Sequence, residues 1–173
     1  MDVALHAARL RPWRLEDGRA LARHANNRNV SRNLRDIFPF PYTEADAQAY
    51  LARVVPRVPP TNLAIEVDGE AAGGIGLHLQ EDVLRHTAEI GYWLGEAHWG
   101  RGIMTEAVAA MAAYGFGQFD LIRIEAEVFA RNPASMRVLE KSGFQREGWL
   151  RQRITKDGET MDAALYALLR PAS

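Results

Sequence analysis

Two hydrophobic rhythms alternate along the chain. Short stretches of period two read as strands, and longer ones of period near 3.6 read as helices. The first strand is "ARLRPW", and "LEDGRALARHAN" follows as a short helix with Asp17 near its start. The polar run "NRNVSRNLRDIFPFPY" is irregular. "TEADAQAYLARVV" opens on Thr43 as an N-cap and is ended by Pro56, Pro59 and Pro60. "NLAIEV", Asp68-Gly69 and "AAGGIGLHL" form a hairpin pattern, because Asp-Gly suits a tight primed turn. "TAEIGYWL" is the next strand. In "MTEAVAAMAAYGFGQF", Met104, Ala107, Val108, Met111 and Ala112 recur at helical spacing as one apolar face. "LIRIEAEVF" alternates like a strand. "NPASMRVLEKSGF" carries full helix punctuation: Asn132 as cap, Pro133 at the first position, Lys141 in the last turn and Gly143 beyond the end. The remainder reads as two strands joined at Asp157-Gly158. This order predicts an α/β fold with a sheet of mixed direction, not a doubly wound parallel sheet.

Composition narrows the function classes. A chain of 173 residues predicts one domain over 1–173, with enough length to bury a core. A net charge of -1 gives no global electrostatic case for nucleic acid or an anionic membrane. The absence of cysteine removes disulfides, thiolate nucleophiles and Cys-bearing zinc sites, and it fits a reducing compartment. No apolar run approaches the ~18 residues of a membrane span. The N-terminus lacks the pattern of a signal peptide, so the expected location is cytoplasmic.

The candidate chemistry centres on "HWGRGIMTEAVAAM", where glycines stand directly before a helix. They are either turn residues or a means of letting a phosphate approach bare helix amides. A nucleotide triphosphatase loop would need Gly-Lys-Ser/Thr, which Met104-Thr105 does not supply. "GGIG", from Gly73 to Gly76, lacks the following helix of a dinucleotide fingerprint and reads as strand glycine near a bulge or close contact. Glu106, in the first helical turn, would repel a phosphate if it faced one, so it is expected to turn aside. His24, His78, His86 and His98 show no metal-ligand spacing and read as solvated. Arg28, Arg32 and Arg35 either line an acceptor site or form a solvated face. Phe38, Phe40 and Tyr42 suggest a lid or a homodimer contact, while Trp149 and Tyr166 read as core.

Three segments in order, the glycine loop, "AEIGYWL" and "NPASMRVLEKSGF", resemble the GCN5-related N-acetyltransferase superfamily, over nearly the whole chain. Within it, "WGRGIMTEA" is similar to the ribosomal-protein N-terminal acetyltransferases. The resemblance implies a mixed central sheet of about six to seven strands, helices on both faces and splayed central strands. It implies acetyl-coenzyme A (acetyl-CoA) as donor and a primary amine as acceptor, on a peptide or a small molecule, with no metal. The amides of Trp99, Gly100, Arg101, Gly102, Ile103 and Met104 would hold the pyrophosphate, with Thr105 beside them. Trp93 and Leu94 would pair with the pantetheine arm, and a strand N–H near Leu94 would meet the oxyanion. Asn132 would reach the cofactor, or serve as a helix cap alone.

The transfer needs a neutral amine. At pH 7 deprotonation costs ~1 kcal/mol for an α-amine and ~4.6 kcal/mol for a lysine, so one carboxylate acting directly or through water suffices for the former. Glu89 is the candidate, set against a salt-bridged strand carboxylate. The tyrosine that many members use to protonate the thiolate falls at Leu139. Ser135 stands where the ribosomal subgroup has a serine, as proton donor or thiol contact, set against a plain first-turn serine. A non-catalytic acyl-CoA-binding module is the alternative from another class.

Overall fold

The computed structural model describes residues 1–171. Eight strands form one sheet: β1 (Val3–Ala4), β2 (Arg9–Pro12), β3 (Asn62–Val67), β4 (Glu70–Leu79), β5 (Thr87–Leu94), β6 (Arg123–Phe129), β7 (Gln145–Lys156) and β8 (Glu159–Leu169). Their spatial order is β1-β2-β3-β4-β5-β6-β8-β7. Only β5 and β6 run parallel. The expected strands all form, and β1 adds an eighth. It is a two-residue bridge, too short to show a hydrophobic period.

Alternation along the strands sorts the core into two layers. Leu63, Ile65, Ile75 and Leu77 face α4 (Ile103–Gln118) and α5 (Pro133–Lys141). Ala64 and Ala71 face α1 (Gly18–Ala25) and α3 (Glu44–Val54) with Trp13. Helices therefore cover both faces, as expected. Residues 15–26 divide into a 3-10 turn, Leu15–Asp17, and α1, while the run read as irregular holds one short helix, α2 (Arg28–Ser31).

Polar groups fasten the α1 layer. Arg11 is almost fully buried and holds both carboxylate oxygens of Asp17 at 2.8 Å, with Glu66 as a second partner. At α3, Thr43 and Asp46 complete a capping box. The glycines of β4 serve both expected purposes. The register shifts opposite Ile65 and Glu66, leaving Ala72 as a bulge, and a Cβ at Gly73 would lie 2.5 Å from the Trp93 carbonyl.

Two core assignments separate. Tyr166 is fully buried and donates to Glu140 at 2.7 Å. Trp149 is 46% exposed, because β7 is an edge strand, and its indole donates to Asp162. His24 is largely buried rather than solvated. No helix among the described residues is long and apolar enough to cross a membrane.

Candidate active site

The site begins where the sheet fails to close. β5 and β6 pair from Thr87↔Arg123 to Glu89↔Glu125 and then part. β5 stays on β4 as far as Leu94, and β6 stays on β8 as far as Phe129. A cleft of about 1510 Å³ runs through this opening. It is lined by both strands, the glycine loop, the first turns of α5 and the segment before α3.

Hydrogen-bond parity decides which β5 peptides face the opening. The His86 carbonyl accepts from Ile122 and Arg123, so even-numbered peptides point toward β6. Gly95 N–H donates to Ala72, and Gln80 N–H to the Thr87 carbonyl, which turns odd-numbered ones toward β4. The expectation for Trp93 is corrected on this ground: its peptide groups are spent on β4, opposite Gly74. Tyr92 takes its place beside Leu94. The Leu94 carbonyl already accepts the Trp99 indole N–H at 2.7 Å, leaving the Leu94 N–H and the Tyr92 peptide groups toward the cleft.

After the 3-10 turn Glu96–His98, Gly100 and Gly102 adopt φ of +74° and +77°, the left-handed region where glycine carries no Cβ penalty. α4 then starts with no side-chain cap. Among the described residues, no protein acceptor takes the amides of residues 100–104. The flanking amides are engaged: Trp99 donates to Glu96 at 3.1 Å and Thr105 to Gly102 at 3.1 Å. Trp99 is thereby corrected as a main-chain anion contact, and the Thr105 amide, beside the row, is likewise spent. Glu106 does turn aside, accepting the His6 N–H at 2.8 Å. Five bare amides thus stand at the positive end of a 16-residue helix facing a cleft.

Opposite, the α5 end carries a side-chain cap. Asn132 Oδ1 accepts the Ser135 N–H at 3.3 Å, so its capping role is accounted for. Ser135 Oγ lies 2.8 Å from the Tyr92 hydroxyl. Burial pushes the Tyr92 phenol well above its usual range, so it stays protonated. Leu139, where many superfamily members place a tyrosine, is fully buried.

Residues 8–145 match the model of the acetyltransferase (GNAT) domain. The chain belongs to that family. It is 41% identical to the uncharacterized N-acetyltransferase YoaA of Bacillus subtilis over 102 residues, 59% of this chain and 57% of that one. It is 30% identical to the uncharacterized N-acetyltransferase p20 of Bacillus licheniformis over 167 residues, 93% and 92% of the two chains. Over 84 residues it is 38% identical to the ribosomal-protein-serine acetyltransferase of Escherichia coli, 49% and 47%. In several of these matches, then, the chain spans only about half the relative's length. The fold matches a GNAT-family acetyltransferase structure from Bacillus anthracis with TM-score 0.84 and 26% identity, over 98% of both chains.

On the GNAT scaffold, Glu89 stands apart from the Tyr92–Ser135 pair. Three residues along a strand span about 10 Å, and odd numbering puts its side chain on the opposite sheet face from Tyr92. There its carboxylate is bonded to the Arg35 guanidinium. Arg35 belongs to a strap, residues 27–42, crossing that face. Lys156 Nζ donates to Asp36 at 2.6 Å, and Arg131 binds Asn33 and the Arg32 carbonyl. Asn27 and Asn29 donate to Glu96, tying the strap to the turn before α4. Phe38 packs between Tyr42 and Trp93, with centroids at 4.8 and 5.5 Å, while Phe40 is 46% exposed under Arg28. Arg28 pairs with Asp157.

Sequence reasoning missed Tyr92, because only the folded register places it against Ser135. It also missed the cations Arg137 and Lys141, one turn apart on α5 and lining the cleft. Among the described residues, neither these nor Arg101 enters an ion pair. Their i, i+4 spacing is the signal that could have placed them on one side of the helix, but it does not locate the cleft.

Proposed function

We propose that this GNAT domain transfers the acetyl group of acetyl-CoA to a primary amine, and that the acceptor is a protein N-terminal α-amine of ribosomal-protein type. The observation that carries the donor is the row of unengaged amides at residues 100–104 opening on the β5–β6 gap. A diphosphate fits such a row, because it supplies the acceptors and the negative charge that a helix start favours. The Tyr92 and Leu94 peptide edges offer pairing to an extended amide-bearing arm. Arg101, Arg137 and Lys141 add positive charge for further phosphate. The similarity to a ribosomal-protein-serine acetyltransferase supports the acceptor class.

In this reading the amine approaches from the Glu89 face and the thioester lies in the gap. Glu89 takes the amine proton through water, since it stands about 10 Å along β5 from Tyr92. The nitrogen–carbon bond forms, the carbonyl oxygen takes the charge toward the Leu94 N–H, and the carbon–sulfur bond then breaks. Ser135 faces the departing sulfur. Arg35 must release Glu89 for this to run.

Thermal melting with acetyl-CoA tests the donor. At a hundredfold the dissociation constant, stabilisation of ~2.7 kcal/mol is expected, and no shift at millimolar acetyl-CoA overturns the reading. Thiol release with free N-terminal peptides, N-acetylated peptides and small amines tests the acceptor. Turnover confined to small amines overturns the ribosomal-type assignment.

A further inference from the structure

Tyr92 and Ser135 are 43 residues apart in the chain and belong to elements on opposite sides of the gap. Serines in or at the end of a helix can spend the hydroxyl proton on a nearby backbone carbonyl. Ser142, at the C-terminal end of α5, does so, its hydroxyl donating to the Val138 carbonyl at 2.8 Å. Ser135 does not: its Oγ meets the Tyr92 phenol at 2.8 Å and, among the described residues, no helix carbonyl, while the phenol oxygen lies 3.5 Å from the Ser135 carbonyl, at the outer limit of a hydrogen bond. A contact between two hydroxyls uses one proton and leaves the other.

We propose that Tyr92 is a positioning residue whose phenol O–H donates to Ser135 Oγ, leaving the seryl proton to donate to the sulfur released by the acetyl group. This rests on the reading that acetyl-CoA occupies the gap. The chain of two hydroxyls strengthens the final donor by polarising it. It also supplies from β5 the phenol that Leu139 cannot provide from α5.

The step leaves both protons on their oxygens. As the nitrogen–carbon bond forms and the carbon–sulfur bond breaks, the electron pair goes to sulfur, and the thiolate accepts a hydrogen bond from Ser135. A thiol titrates near ~8.5 and a phenol near ~10, and burial raises Tyr92 further. Proton transfer from the phenol to the thiolate therefore runs uphill. Water protonates the thiolate on release.

The test reads the product thiol and needs no knowledge of the acceptor. Coenzyme A is bound to the protein, and its thiol is titrated by ultraviolet thiolate absorbance for the wild type, Tyr92→Phe, Ser135→Ala and the double variant. A donor at the sulfur lowers the bound thiol pKa, so both single variants should raise it by about one unit, a tenfold change in thiolate ratio. The double variant should match Ser135→Ala, since Tyr92 acts through Ser135. Coenzyme A affinity should change less than about threefold, because Phe keeps the ring and loses only the hydroxyl, and melting curves confirm folding. If Tyr92→Phe titrates like wild type, the inference is overturned whatever Ser135→Ala does. If the protein does not bind coenzyme A at all, the functional reading falls as well.

Discussion

Two helices end on one cleft with opposite solutions for their first amides. α5 is closed by Asn132, with Pro133 removing one donor, and α3 elsewhere by its Thr43–Asp46 box. α4, the longest helix described, starts at a left-handed glycine with no side-chain cap. A side-chain cap is worth about 1 kcal/mol, so leaving α4 bare forgoes stability that the chain secures at α3 and α5, although α1 likewise starts without a side-chain cap. In the proposed reading, an external anion takes the place of the cap at this helix start.

That contrast can be broken at α4. Gly102→Asp places a carboxylate where the anion is expected, in a conformation Asp tolerates better than most residues. Coenzyme A affinity should fall at least about a hundredfold, ~2.7 kcal/mol, with little change in melting temperature; calorimetric titration checks it, and retained affinity counts against the bare amides. It can be sharpened at α5, whose contribution should come from side-chain charge. Arg137→Gln with Lys141→Gln should weaken coenzyme A about tenfold, and raised salt should shrink the difference. Asn132→Ala separates capping from ligand contact. A cap alone predicts a loss of about 1 kcal/mol, or 2–4 °C of melting temperature, with affinity within about threefold; a larger affinity loss makes Asn132 a ligand contact.

The smallest effect lies behind the α4 loop. His24 packs 5.4 Å from His98, ring to ring. Burial lowers its pKa most, Arg23 and His98 lower it further, and Glu70 opposes them. A depressed folded pKa means the unfolded chain binds more protons between the two values. Stability is therefore kept above the unfolded value near ~6.5 and lost as pH falls toward the folded one. His24→Asn should flatten that part of a stability-versus-pH profile.

Much of this contrast was legible in the chain. α5 announces itself because each punctuation residue acts locally, and the glycine loop because left-handed backbone selects glycine. Nonlocal features were not. Insertion of β8 between β6 and β7, the Tyr92–Ser135 contact and the facing of the Trp93 peptide all depend on sheet register. The burial of Arg11 was not legible either, because it requires Asp17 and Glu66 together. Trp149 read as core because a large aromatic carries no sign that its strand lies at an edge. The strap's hold on Glu89 through Arg35 links residues 54 positions apart.

Backbone amide resonances measured while coenzyme A is titrated in test the central claim most directly. The amides of residues 100–104 should move most as each gains an acceptor, and those of Trp99 and Thr105 should move less because they are already bonded. Binding that leaves residues 100–104 unmoved would contradict the account.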